Sequence, residues 1–155
     1  MILLHYLTSA QRLLLMTTLS ILTLAGCSST DDPQPVAKSQ LLSRNWQVQS
    51  AQYSYSNLTY TYYQKGGTTN DADLSAYRFN FENNGSYTFL NDSTSYEGNW
   101  ELVEQDSKLR LDGQSDFSIL TLSDTNFDFS FTSEETDADN KAITVQYTYR
   151  LIPAN

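Results

Sequence analysis

Residues 41–155 are predicted to form one all-β domain, an antiparallel meander of about eight or nine strands that closes into a small barrel or packs as a β-sandwich. Three observations predict it. Polar and apolar residues alternate with period two in segment after segment, clusters of Gly, Asn, Asp and Ser separate those segments, and the apolar parity carries residues large enough to build a core. A helix would require apolar residues every three to four positions, which these segments lack.

The chain ahead of that domain reads differently. One cation, Arg12, precedes the apolar run 13–24, which is short for a membrane span and has the length of an export-signal core. Leu24-Ala25-Gly26-Cys27 follows and resembles the lipobox of bacterial lipoproteins, in which small residues enter the signal peptidase and the cysteine thiol accepts a diacylglyceryl group. Residues 1–26 are therefore expected to be a removed signal, and Cys27 to carry the lipid. Cys27 is the one cysteine of the chain, so no disulfide competes for it. A single acyl chain binds a bilayer only marginally, at ~0.8 kcal/mol per buried CH₂, whereas two or three anchor stably. The rest of 27–40 is polar and contains Pro33 and Pro35, the composition of a flexible tether. Asp31-Asp32 resembles the surface-export signal of lipoproteins from the Bacteroidota, which would place the domain on the outer membrane, at the cell surface.

The strands follow in order. The segment 46–55 begins with Trp46 and Val48 on one parity, and 58–64 continues it after a polar break. Between 76 and 82, Tyr77, Phe79 and Phe81 share a face, and Asn83-Asn84-Gly85 then supplies a hairpin turn before Tyr87 and Phe89 repeat the pattern over 86–90. Trp100 and Leu102 mark 96–102, Leu109 and Leu111 mark 109–111, and Asp112-Gly113-Gln114 turns the chain into 117–122. Phe127, Phe129 and Phe131 alternate with polar residues, and 143–151 ends the domain with Ile143, Val145, Tyr147, Tyr149 and Leu151 inward. Of the twenty expected core residues, twelve are aromatic, which argues for a largely filled interior with at most a pocket at one end.

Charge and composition limit the function. Loss of residues 1–26 removes Arg12 from the nine basic residues and leaves eight against 18 acidic ones, a net charge near −10. Nucleic acid and anionic lipid head groups are poor partners for such a surface. Cleavage also removes His5, so no Ser-His-Asp or Cys-His arrangement and no His-ligated zinc can form. Glu97 and Glu101 share a parity on the wet face of one strand, whereas glycoside hydrolysis needs two carboxylates facing each other across a cleft. Asp71-Ala72-Asp73 and Asp137-Ala138-Asp139-Asn140 offer oxygen ligands but lack the glycine and terminal glutamate that complete a calcium loop. The expectation is a protein that is not an enzyme and has neither cofactor nor metal.

The order of Leu41-Leu42-Ser43-Arg44-Asn45-Trp46, Tyr77-x-Phe79-x-Phe81-x-x-Asn84-Gly85-Ser86-Tyr87-Thr88-Phe89, Gly98-Asn99-Trp100-Glu101-Leu102 and Lys108-Leu109-Arg110-Leu111 resembles the lipocalin-like lipoproteins of the Bacteroidota, over residues 41–152. The resemblance implies a lipocalin-like barrel with the first Trp packed at its closed end. It also implies an arginine late in the last strand stacked over that Trp, a role open to Arg150. The family tends to place glycine two residues before the Trp, where this chain has Arg44.

The run 53–63 concentrates tyrosines, whose rings bury apolar area while their hydroxyls stay polar, a combination suited to pocket rims. If it lies at an open barrel mouth, Tyr55, Tyr60 and Tyr62 are the expected ligand contacts. The leading expectation is thus a lipid-anchored binder of a small apolar or glycan-like molecule. The alternative is a structural module with a solid barrel that meets another envelope protein.

Overall fold

The computed structural model describes residues 35–155; the expected signal, Cys27 and the tether up to residue 34 lie outside the described residues. A short helix α1 (Lys38–Leu42) precedes nine strands: β1 (Asn45–Tyr55), β2 (Leu58–Gln64), β3 (Arg78–Phe81), β4 (Ser86–Asn91), β5 (Thr94–Val103), β6 (Lys108–Leu111), β7 (Ser115–Leu122), β8 (Phe127–Thr136) and β9 (Ala142–Pro153). Each expected alternating segment is a strand. Each of the two clearest turn signals sits where the chain reverses, with positive φ at Gly85 (87°), Asp112 (52°) and Gly113 (69°).

From β3 to β9 every strand pairs antiparallel with its successor, and β9 returns to β1 over Trp46↔Pro153 to Ser54↔Gln146. This last pairing closes eight strands into a barrel and excludes the sandwich. β2 is the additional strand. It exists because β1 is 11 residues long and its second edge is divided: Asn45–Gln47 pairs with β3, while residues 50–55 pair with β2. The β1–β2 hairpin turns on Ser56 and Asn57, both at positive φ (48° and 67°), the backbone of a tight two-residue turn. Register shifts in β1 and β7 add local twist where the wall must curve.

One end of the barrel is sealed. Leu42, Trp46, Val48, Phe81, Leu109, Phe127 and Leu151 pack there with little or no exposure. Five residues are too few for a helix to be stable alone, so α1 depends on its contacts. Leu42 is buried in the seal, the Trp46 indole N–H donates to the Leu42 carbonyl at 2.9 Å, and Lys38 Nζ donates to the Asp106 carbonyl at 2.9 Å. Residues 38–40, read from sequence as the end of the tether, belong to this helix.

The stacking arginine differs from the one the resemblance implied. Arg150 lies between the core residues Tyr149 and Leu151, so strand alternation turns it outward, exposed and opposite Asp128 on β8. Arg44 takes the place over the indole instead, with its Cζ 5.3 Å from the Trp46 ring centroid. Its Nη1 donates to the Asp124 carbonyl, and its own carbonyl accepts the Phe81 N–H at 3.1 Å. Where the resemblance expects a glycine, this chain folds a long cation back across the seal.

Candidate functional site: an aromatic cavity inside the barrel

Above the seal the barrel is not filled. A cavity of about 220 Å³ is lined by Tyr77, Phe79, Tyr87, Phe89, Leu111, Phe117, Phe129, Phe131 and Tyr149. A smaller void of about 30 Å³ shares Phe79, Leu111, Phe117 and Phe129 with it and adds Phe81 and Leu109 from the closed end. The lining comes in pairs two residues apart, Tyr77 with Phe79, Tyr87 with Phe89, and Phe129 with Phe131, because each strand presents alternate residues inward.

The rings hold one another in place. Phe79 stacks on Phe89 with centroids 4.7 Å apart, and Tyr77 meets Phe89 edge-on at 5.5 Å. Across the cavity Phe129 and Tyr149 are almost parallel in a stacked pair at 5.3 Å, while Phe117 sets its edge against Phe129 and Phe131. Such offset and edge-to-face contacts contribute roughly 0.5–1.5 kcal/mol each beyond area burial, so the rings brace one another without any ligand.

Among the described residues no charged side chain lines the cavity, and the polar side chains that do are tyrosines. Tyr87 donates its hydroxyl proton to Asp112 Oδ2 at 2.8 Å, and Asp112 Oδ1 accepts the Asn99 N–H at 2.9 Å. Burial, then the Asp112 bond, pushes the Tyr87 hydroxyl up to about 12, while the Asn99 N–H and the Tyr87 hydroxyl hold the Asp112 carboxyl below the usual range. The arrangement requires a glycine at 98. A Cβ there would lie 2.2 Å from Asp112 Oδ1 and 2.7 Å from Tyr87 Cε1. At the rim, Tyr62 donates to the Tyr149 hydroxyl at 2.8 Å. Burial raises both of these hydroxyls, so both stay protonated at neutral pH.

The three tyrosines expected as ligand contacts are divided by the structure. Tyr62 touches the rim through Tyr149 but is not part of the lining. Tyr60 stacks on Tyr53 at 5.2 Å and remains 46 % exposed; Tyr55, 38 % exposed, ends β1 beside the hairpin turn. Neither lines the cavity. Tyr77, Tyr87 and Tyr149 do, and their signal in the sequence was inward parity rather than local tyrosine density.

The acidic candidates occupy surface positions. Glu97 and Glu101 are exposed on β5, and Glu101 lies 3.7 Å from Arg110. Asp73 accepts the Ser75 N–H, and Asp137 accepts the N–H groups of Asp139 and Lys141, so both carboxylates shape their own turns. Neither the known family models nor the curated proteins include a match to this chain.

Proposed function

We propose that the mature protein is a lipid-anchored, non-enzymatic binder of a small apolar molecule, held by Cys27 on the outer membrane, in keeping with the lipocalin-like lipoproteins its sequence resembles. The cavity inside the barrel carries this reading. Well-packed cores leave few voids larger than a water molecule, and about 220 Å³ of ring-lined space exceeds the engineered apolar cavity of ~150 Å³ that stays dry and takes up benzene. Of the two ligand classes expected from sequence, the lining favours the apolar one. A glycan would bury hydroxyl groups against eight aromatic rings and one leucine, with few partners to satisfy them.

Titration of the chain from residue 28 onward with naphthalene, followed by calorimetry, tests the proposal. A saturable one-to-one site is expected, and it should disappear when Leu111→Trp fills the cavity. Heats that never saturate up to the solubility of the probe would refute it.

A further inference from the structure

The rim of the cavity holds a hydrogen-bond donor, the Tyr149 hydroxyl, that donates to none of the described residues. A phenol hydroxyl has one proton and two acceptor lone pairs. Tyr62 spends its proton on the Tyr149 oxygen, and among the described residues neither hydroxyl has another hydrogen-bond partner. The Tyr149 proton is therefore unspent, although its ring lines the cavity. The Tyr149 oxygen is satisfied as an acceptor, and a ligand oxygen that reached it would take up the remaining proton.

The lining sets the rest of the ligand. Two stacked ring pairs, Phe79 with Phe89 and Phe129 with Tyr149, meet nearly at right angles, since Phe79 and Phe129 are inclined at 77° with centroids 6.0 Å apart. A flat ring can stack on one pair and present its edge to the other, whereas a flexible chain gains only buried area. The volume accommodates one or two fused rings. Among the described residues no cation lines the cavity to meet an anionic ligand, and no carboxylate lines it to neutralise a cationic one.

Building on the apolar-binder reading above, we infer that the cavity takes a neutral aromatic compound of one or two rings bearing a carbonyl oxygen, with that oxygen accepting the free hydroxyl proton of Tyr149. The ketone adds one neutral hydrogen bond to the binding of the parent hydrocarbon. It should therefore bind about fivefold more tightly.

The test compares four probes by calorimetry on the chain from residue 28: naphthalene, 2-acetylnaphthalene, 2-naphthoate and phenyltrimethylammonium. Expected are saturable binding of naphthalene, about fivefold tighter binding of 2-acetylnaphthalene, and weak or no binding of the two ions. Tyr149→Phe should erase the ketone preference: on that variant 2-acetylnaphthalene should bind no more tightly than naphthalene. The infrared carbonyl stretch of 2-acetylnaphthalene bound to the unmodified chain should lie at lower frequency than that of the ketone dissolved in alkane, an observation that does not depend on any variant folding. Equal affinities for hydrocarbon and ketone, or a bound carbonyl band at its alkane-solution position, would overturn the inference and leave the apolar-binder reading intact. Tightest binding of either ion would overturn the neutral-ligand assignment, and failure of all four probes to bind would overturn the apolar-binder reading itself.

Discussion

The two ends of the barrel interior are built from the same alternation yet pack to different outcomes. At the sealed end, Leu42, Val48, Leu109 and Leu151 fit around Trp46, Phe81 and Phe127. In the cavity above, one leucine accompanies eight aromatic residues. Branched aliphatic chains adopt rotamers that fill irregular gaps between rings. Rings are flat and large, and once each is stacked on a neighbour none can turn to close the remaining space. The contrast teaches that an inward stripe can be entirely apolar and still leave a void, when too few of its members are deformable.

The largest expected effect lies at the seal. Trp46 is fully buried, holds the Leu42 carbonyl and carries Arg44 on its face. Trp46→Ala should cost about 3–5 kcal/mol in urea denaturation, and Phe117→Ala, whose ring already borders empty space, should cost less than half as much. Equal losses would mean that the two ends pack alike.

Overpacking probes the same contrast from the other side. Val48→Phe, in the seal, should destabilise by roughly 1–3 kcal/mol. Leu111→Trp places its added volume in the cavity and should leave stability within about 1 kcal/mol of the parent chain. A large destabilisation by Leu111→Trp would show that the space is not available to a side chain or to a ligand.

The pH response bears mainly on the cavity, since among the described residues Tyr87 and Tyr149, which line it, and Tyr62 and Tyr147, which pack against Tyr149 and Phe131, have raised hydroxyls; Tyr63, buried on β2, is raised as well. A hydroxyl raised in the folded state is held in its neutral form, so the stability it contributes is present below the ordinary tyrosine value of 10 and is lost as pH climbs through the folded value. Tyr87 and Tyr147 are both pushed up to about 12, Tyr87 chiefly by burial and Tyr147 chiefly by its bond to Glu135. Stability should therefore decline between pH 10 and 12, by an amount that solvent screening keeps modest. Tyrosinate absorbance should therefore rise at higher pH in the folded chain than in the urea-unfolded one, and coincident titration curves would contradict this.

Much of the architecture was legible in the residues because strand alternation and hairpin turns are local. Phe79 and Phe81, or Phe127, Phe129 and Phe131, declare their face within a few positions, and Asn84-Gly85 and Asp112-Gly113 mark their turns directly. Closure was legible less directly: pairing of β1 with β9 joins residues about a hundred positions apart and alternation alone fits a sandwich as well, so the expected barrel rested on the order of motifs that resembles the lipocalin-like lipoproteins. The helix escaped because Lys38–Leu42 has no periodicity of its own and is stabilised by what Leu42 and Lys38 touch. Arg44 escaped for a related reason, as its place over Trp46 follows from the chain path after α1. The cavity was the least legible feature: parity shows which rings point inward, but whether they meet or leave space depends on ring orientations fixed between strands.

The smallest expected effect falls on the residue that local tyrosine density made most conspicuous. Tyr60 sits on a strand with one edge outside the barrel closure, is nearly half exposed, and has its clearest contact with Tyr53. Tyr60→Ala removes one stacked pair and should cost about 0.5–1.5 kcal/mol. Because its ring is not in the lining, naphthalene affinity should stay within about twofold of the parent value, well under the tenfold that 1.4 kcal/mol represents. A tenfold loss would extend the binding site from the cavity onto the β1–β2 hairpin, and would restore to Tyr60 the contact role suggested by its neighbours in the sequence.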